Sequence, residues 1–201
     1  MPTNDDDKVD VTRRRFLTSS ATIVGGVGMV TTAVPFVKSL EPSAKTQAAG
    51  APVEVDLSKI EPGEMVREEW RGKPIWIVNR TDKMLQTLKD VEPKLRDPKS
   101  DQAQQPEYAH NEYRSIKPEF LVLVGICTHL GCSPTFRPDI APEDLGPKWE
   151  GGFFCACHGS RFDLAGRVYR GVPAPKNLEV PPYRYAADDK IIIGESEEGK
   201  A

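Results

Sequence analysis

The 201-residue sequence is poor in the side chains that build redox and metal sites: it has four cysteines and three histidines, and aromatic residues make up 7% of the chain. It also lacks the glycine-rich loops that cradle phosphates in P-loop and dinucleotide-binding proteins, so neither kind of nucleotide site is expected. No Cys-x-x-Cys pair occurs, which excludes a thioredoxin-like redox motif. Cys155-Ala156-Cys157-His158 falls one residue short of the Cys-x-x-Cys-His needed for covalent haem. No stripe of lysine and arginine runs along the body of the chain, and a formal net charge of -3 does not suit binding to nucleic acid. No internal repeat is visible, which removes the solenoid architectures. The scarce residues are not scattered, however. All four cysteines (127, 132, 155 and 157) fall within 31 residues, and two of the three histidines, His129 and His158, sit among them. Such clustering points to a metal or disulfide site.

What is present in quantity fits one compact domain with accessories: 38% apolar and 28% charged residues are enough for a core with a solvated surface. The 16 glycines and 18 prolines lie mostly after position 50 and predict many turns and short strands there. The N-terminal part reads differently. Thr12-Arg13-Arg14-Arg15-Phe16-Leu17-Thr18 leads into an uncharged run of 22 residues, Phe16 to Val37. As a helix this run is about 33 Å long at ~1.5 Å per residue, close to the hydrocarbon thickness of a bilayer. Arginines ahead of an apolar run keep that end in the cytoplasm. An ordinary signal anchor would satisfy this pattern, but Arg13 and Arg14 in this setting resemble a twin-arginine export signal. That route carries proteins already folded, which suits a chain whose cofactor is inserted before export. Thr32-Ala33-Val34 is no Ala-x-Ala cleavage site, and Gln47-Ala48-Ala49-Gly50-Ala51 is only a weak one. The expectation is a cytoplasmic stretch 1–15, an uncleaved single-pass helix 16–37 in the lipid of a bacterial inner membrane, and a head in the periplasm. Residues 38–52 are small and polar and read as a flexible tether, whether plain spacer or hinge.

From Val53 onward, short β-like runs alternate with turns. Val53–Leu57 alternates apolar and polar residues, and Pro74–Val78 and Phe120–Val124 are continuous apolar runs of the kind buried strands show. Gly152-Phe153-Phe154, Gly166–Tyr169 and Lys190–Ile193 continue the pattern. Between them, Thr81–Lys89 has Met84, Leu85 and Leu88 at helical spacing behind a Thr81 or Asp82 cap. Asp97–Lys117 is polar and punctuated by proline, which predicts a long surface excursion. The fold class expected is mainly β: an antiparallel sandwich or barrel over 53–201, with a small metal-binding part at about 125–175 and a short helical insertion.

Two boxes carry the chemistry: Cys127-Thr128-His129-Leu130-Gly131-Cys132 and Cys155-Ala156-Cys157-His158-Gly159-Ser160. Each follows an apolar run and should be a loop at the end of a strand. Each offers one thiolate and one imidazole at short spacing, Cys127-x-His129 and Cys155-x-x-His158, and each leaves one cysteine over. A tetrahedral zinc site of two Cys and two His is chemically allowed, yet it strands two cysteines beside it. Two plain disulfides leave both histidines unexplained. A two-iron, two-sulfur cluster with two Cys on one iron and two His on the other accounts for all six residues, with two cysteines left able to form a disulfide.

With both boxes in view, the chain resembles the Rieske iron–sulfur proteins, in the branch that serves cytochrome bc complexes. The resemblance covers the twin-arginine anchor, the tether and the head. The extra cysteine in each box separates it from the Rieske domains of ring-hydroxylating oxygenases, which share Cys-x-His and Cys-x-x-His but lack the disulfide pair. The resemblance implies that Cys127 and Cys155 bind the inner iron of a [2Fe–2S] cluster, that His129 and His158 bind the outer iron, and that Cys132 and Cys157 form a disulfide. It implies a subunit, not a complete enzyme, that takes an electron and a proton from quinol, expected to be ubiquinol. The electron then goes to a c-type cytochrome, which contributes to proton translocation. Partners implied are a cytochrome b subunit and a c-type cytochrome subunit in a dimeric complex, with the tether letting the head shuttle. Two other readings stand beside it: the small Rieske subunit of a periplasmic oxidase such as arsenite oxidase, and a membrane-tethered zinc-binding module.

The same resemblance gives roles to further residues. His158 contacts quinol and accepts its proton, with Leu130 lining the contact. Ser160 matches a serine whose hydroxyl donates to a bridging sulfide and raises the potential; otherwise it only satisfies its turn. Phe162 stands where many respiratory members have a tyrosine whose hydroxyl donates to the first-box cysteine sulfur, here Cys127, so a lower potential is expected. Ala156 replaces a common proline. Gly171-Val172-Pro173-Ala174-Pro175 resembles the proline loop that covers the cluster, with Gly171, Pro173 and Pro175 as its turn residues. His110 reads as a solvated surface residue, and Trp70, Trp76 and Trp149 as packing residues.

Overall fold

The structure is a computed structural model that describes residues 10–196 and 199–200; residues 1–9 of the expected cytoplasmic stretch lie outside these. The chain divides into two units, one ending at Lys45 and the other starting at Thr46. The first is helix α1, Val11–Ser39, which begins where the Asp10 carboxylate accepts from Thr12 N (3.0 Å) and Arg13 N (3.1 Å). Arg13 and Arg14 therefore sit in the first helical turn. No residue of α1 is buried, and it is long and apolar enough to cross a membrane. Its threonines close their own polar groups: Thr31 and Thr32 hydroxyls both donate to Gly28 O, as a helix in lipid requires. The helix extends past the expected 16–37 run at both ends. The expected tether holds a six-residue helix, α2 (Ala44–Ala49), since three of its residues are alanine, the strongest helix former.

Among the described residues, the second unit is built from three antiparallel three-stranded sheets, with a short two-stranded ladder pairing Glu195–Ser196 and Gly199–Lys200 near the C-terminus. In chain order its strands are β1 (Val53–Asp56), β2 (Met65–Trp70), β3 (Lys73–Asn79), β4 (Phe120–Val124), β5 (Thr135–Ile140), β6 (Glu150–Cys155), β7 (Ser160–Phe162), β8 (Tyr183–Ala187) and β9 (Lys190–Ile193). The sheet orders are β1-β9-β8, β2-β3-β4 and β5-β6-β7. Strand β3 is central, and Ile75, Trp76, Ile77 and Val78 are all buried, which is why that run shows no polar alternation. Trp76 joins two sheets by stacking on Phe153 of β6, centroids 5.1 Å apart. Trp70, Trp76 and Trp149 are all buried packing residues, and His110 is exposed beside Glu107.

Helix α3 (Asp82–Val91) forms where its periodicity predicts, with the Thr81 hydroxyl accepting from Met84 N at 3.3 Å as its cap. Two expectations need correction. Gly166–Tyr169 is no strand; it makes only isolated bridges, Phe162 to Val168 and Leu95 to Tyr169, because the chain turns at Gly166 and Arg167 points inward to Asp163. Residues 97–117 are not simply a surface excursion either. Asp97, Ser100, Ala109, Arg114 and Ser115 are buried, because their polar groups bond carbonyls and side chains of the head interior instead of water.

Candidate metal centre

Both boxes are turns of the same local design. In the first, which leaves β4, Gly131 N donates to Cys127 O (3.0 Å) and Cys127 N to Cys132 O (2.7 Å). In the second, which joins β6 to β7, Gly159 N donates to Cys155 O (2.9 Å). Gly131 and Gly159 both have φ near +80° (83° and 77°), a region that side chains resist. Behind the first box, Gly125 is also required: a Cβ there would lie 2.3 Å from the Trp76 ring.

The structure divides the four cysteines into two pairs. Cys132 and Cys157 are joined by a disulfide that ties box to box. Cys127 and Cys155 are free and buried. Burial pushes the Cys155 thiol up, and a hydrogen bond with Cys127 adds to this, while N–H groups of Cys157 and His158 directed at the sulfur pull the other way. The sulfurs of Cys132, Cys155 and Cys157 lie within 4.8 Å of one another, but two of those three are spent in the disulfide and offer no thiolate. The available donors are thus two adjacent thiols in the interior and two imidazoles nearer the tip. His129 is half-buried, His158 is exposed, and their ring centroids are 4.8 Å apart, edge to face. Leu130 stands beside them at 70% exposure, unusual for a leucine.

The surroundings are dry on the inner side. Phe153, Phe162, Val168 and Ala174 are buried in one cluster with Cys127 and Cys155. Phe162 lies opposite Phe153 across β6–β7 and carries no polar atom to offer a sulfur. Ser160 is fully buried, and its hydroxyl oxygen accepts from Ala174 N at 3.1 Å. The hydroxyl proton is therefore left to point elsewhere. The same contact draws the Gly171–Pro175 loop over the second box, and the Thr128 hydroxyl donates to Lys176 O (2.6 Å), fastening the loop to the first. Gly171, at φ 75°, makes the turn into this loop; Pro173 and Pro175 are exposed on its outer side. Thr128 was given no role by the sequence, although a hydroxyl inside a ligand box was there to be noticed. Asn177 was missed as well: it accepts from Val168 N (2.9 Å) and donates to Asp97 O (3.0 Å) and Ser100 Oγ (2.9 Å).

Two soft thiolates held in apolar surroundings and two imidazoles at the solvent edge fit a two-iron, two-sulfur cluster with unlike irons. Comparison with known proteins agrees. The "Rieske [2Fe-2S] domain" family model matches residues 94–183, and "Ubiquitinol-cytochrome C reductase Fe-S subunit TAT signal" matches residues 3–43. These define the class: an iron–sulfur protein of the Rieske type, with a Rieske [2Fe–2S] cluster as cofactor. The ubiquinol-cytochrome c reductase iron-sulfur subunit of Allochromatium vinosum is 57% identical over 187 residues, covering 93% of this chain and 90% of that one. That of Bradyrhizobium diazoefficiens is 46% identical, covering 91% and 94%. A solved chain of a hyperthermophilic respiratory Complex III aligns at 26% identity with a TM-score of 0.48, covering 87% of this chain and 98% of that one. The chain belongs to the family of ubiquinol–cytochrome c reductase iron–sulfur subunits.

Proposed function

We propose that Cys127 and Cys155 hold the inner iron and His129 and His158 the outer iron of the cluster, and that the chain is the electron-transfer subunit of a quinol–cytochrome c oxidoreductase. The observation that carries this is the sorting of six residues into a buried free thiol pair, an adjacent imidazole pair near the surface and a disulfide between the boxes. The bound cluster supplies a one-electron acceptor; imidazole in place of two thiolates puts such centres at roughly −150 to +300 mV, against about −400 mV for plant-type clusters.

The protein's own residues supply the rest. An exposed His158 has a second ring nitrogen free to bond the quinol hydroxyl and to take its proton, and exposed Leu130 gives that contact an apolar floor. With a cluster bound, its reduction would lower the positive charge beside this nitrogen and so favour holding the proton there. The Ser160 hydroxyl, oriented by Ala174 N, donates toward the cluster and raises the potential. Phe162 withholds a second such donor. The 171–175 loop keeps water from the inner side.

The α1 helix is read as a membrane anchor in contact with lipid, with its arginine end in the cytoplasm and the head in the periplasm. Partners are a cytochrome b subunit, a c-type cytochrome subunit and ubiquinol, in a dimeric complex, with residues 38–52 as the hinge on which the head moves. The deciding experiment is electron spin resonance on the dithionite-reduced membrane protein, wild type and His158→Cys. The wild type gives the rhombic signal of a mixed Cys/His cluster and the variant loses it. A colourless, silent protein carrying zinc would overturn the reading.

A further inference from the structure

The loop that covers the second box is held at its base by a residue far away in sequence. The segment 166–178 closes on itself where Leu178 N donates to Gly166 O (2.8 Å). Arg114, from the 97–117 stretch, grips both ends of that closure. Its Nη1 donates to Ala165 O (3.1 Å) and Gly166 O (3.4 Å), and its Nη2 to Leu178 O (2.7 Å) and Gln105 Oε1 (3.1 Å). The side chain is fully buried. None of these four acceptors is a carboxylate, and Nε has no partner. Its backbone is in the left-handed region, at φ 51°. A buried cation with no carboxylate hydrogen-bonded to it, helped only at longer range by Asp163 and Asp97, and a non-glycine residue at positive φ are each unfavourable, and strain of this kind persists where the surrounding structure demands it. Inside the loop closed by this clamp, Ala174 N is the group that orients Ser160.

We propose that Arg114 is a positioning residue for the metal centre: its guanidinium clamps the two ends of the 166–178 loop so that Ala174 N–H stays on Ser160 Oγ and the serine proton stays directed at the cluster. This rests on the role proposed above for Ser160. Arg114 does not touch the cluster, and it acts through the loop.

The test uses the full chain in its membrane complex and compares Arg114→Gly, Arg114→Lys, Ser160→Ala and the double variant R114G/S160A. Glycine suits the backbone at φ 51°, so Arg114→Gly removes the clamp and relieves the strain at once. Midpoints come from redox titration followed by electron spin resonance, and cluster retention from the decay of visible absorbance in mild denaturant. Arg114→Gly lowers the midpoint by a large share of the Ser160→Ala shift and speeds bleaching severalfold. Arg114→Lys, which keeps the charge but not the fork, falls between it and wild type, and decides the matter if the glycine variant does not assemble. The double variant shows no midpoint shift beyond that of Ser160→Ala. An unchanged Ser160→Ala midpoint sinks the serine's tuning role and the route through Ala174. A normal Ser160→Ala shift with an unchanged Arg114→Gly midpoint, or with Arg114→Lys equal to wild type, sinks the clamp alone. Fully additive shifts show that Arg114 acts without the serine and overturn the proposal as well.

Discussion

Cys155 and Cys157 are separated by a single alanine and live in different physical worlds. Cys155 is 2% exposed and free; Cys157 is exposed and oxidised. Their serine variants should therefore part company. Cys155→Ser abolishes the visible and spin-resonance signals of the cluster. Cys157→Ser keeps a cluster, and the opened bridge costs about 3 kcal/mol of head stability, read as a lowered midpoint of thermal unfolding and faster bleaching. Equal, harmless outcomes would break the division of roles. Phe162 poses a sharper question, since it is fully buried in the same apolar cluster as both free cysteines. A hydroxyl added there is costly unless it finds an acceptor, and a cysteine sulfur is the acceptor the reading names. Phe162→Tyr then raises the redox midpoint; an unchanged or lower midpoint in a folded protein refutes that placement.

The hairpin β6–β7 is the element on which the second box depends, and its tightest point is Gly152. A Cβ there would sit 2.0 Å from Phe162 O, at φ 148°. Because the obstacle is backbone, Gly152→Ala forces the strands apart and costs about 3 kcal/mol or prevents folding, visible in yield and thermal melts. The boxes, the strands β3 and β4, and helix α3 were all legible in the sequence, because motif spacing and apolar periodicity are local signals. Arg114, Asn177 and Thr128 were not. Asn177 bonds residues 77 and 80 positions away, and a polar stretch that folds its side chains inward reads, residue by residue, like one that faces water. Nor does composition distinguish the Gly166–Tyr169 run from a strand, since what stops it is Arg167 turning inward to Asp163.

At the scale of the whole molecule, the head has its own core and forms a unit separate from residues up to Lys45. Removing residues 1–45 should release a soluble head with an unaltered cluster spectrum and midpoint that does not restore quinol oxidation to depleted membranes. A truncated head that bleaches, or that restores turnover at wild-type rate, would contradict this separation. The pairing of the cysteines also fixes a chronology. Four thiols can join in three ways, and Cys127 and Cys155 are both free and buried in one cluster, so in an empty head their coupling competes with the native pairing. With the ligands proposed above, a cluster on those two sulfurs would be a protecting group in the synthetic chemist's sense: it would leave only Cys132 and Cys157 to be oxidised. With the folded export proposed above, loading before export would deliver these steps in the one order that works, whereas oxidation before loading would seal the site shut.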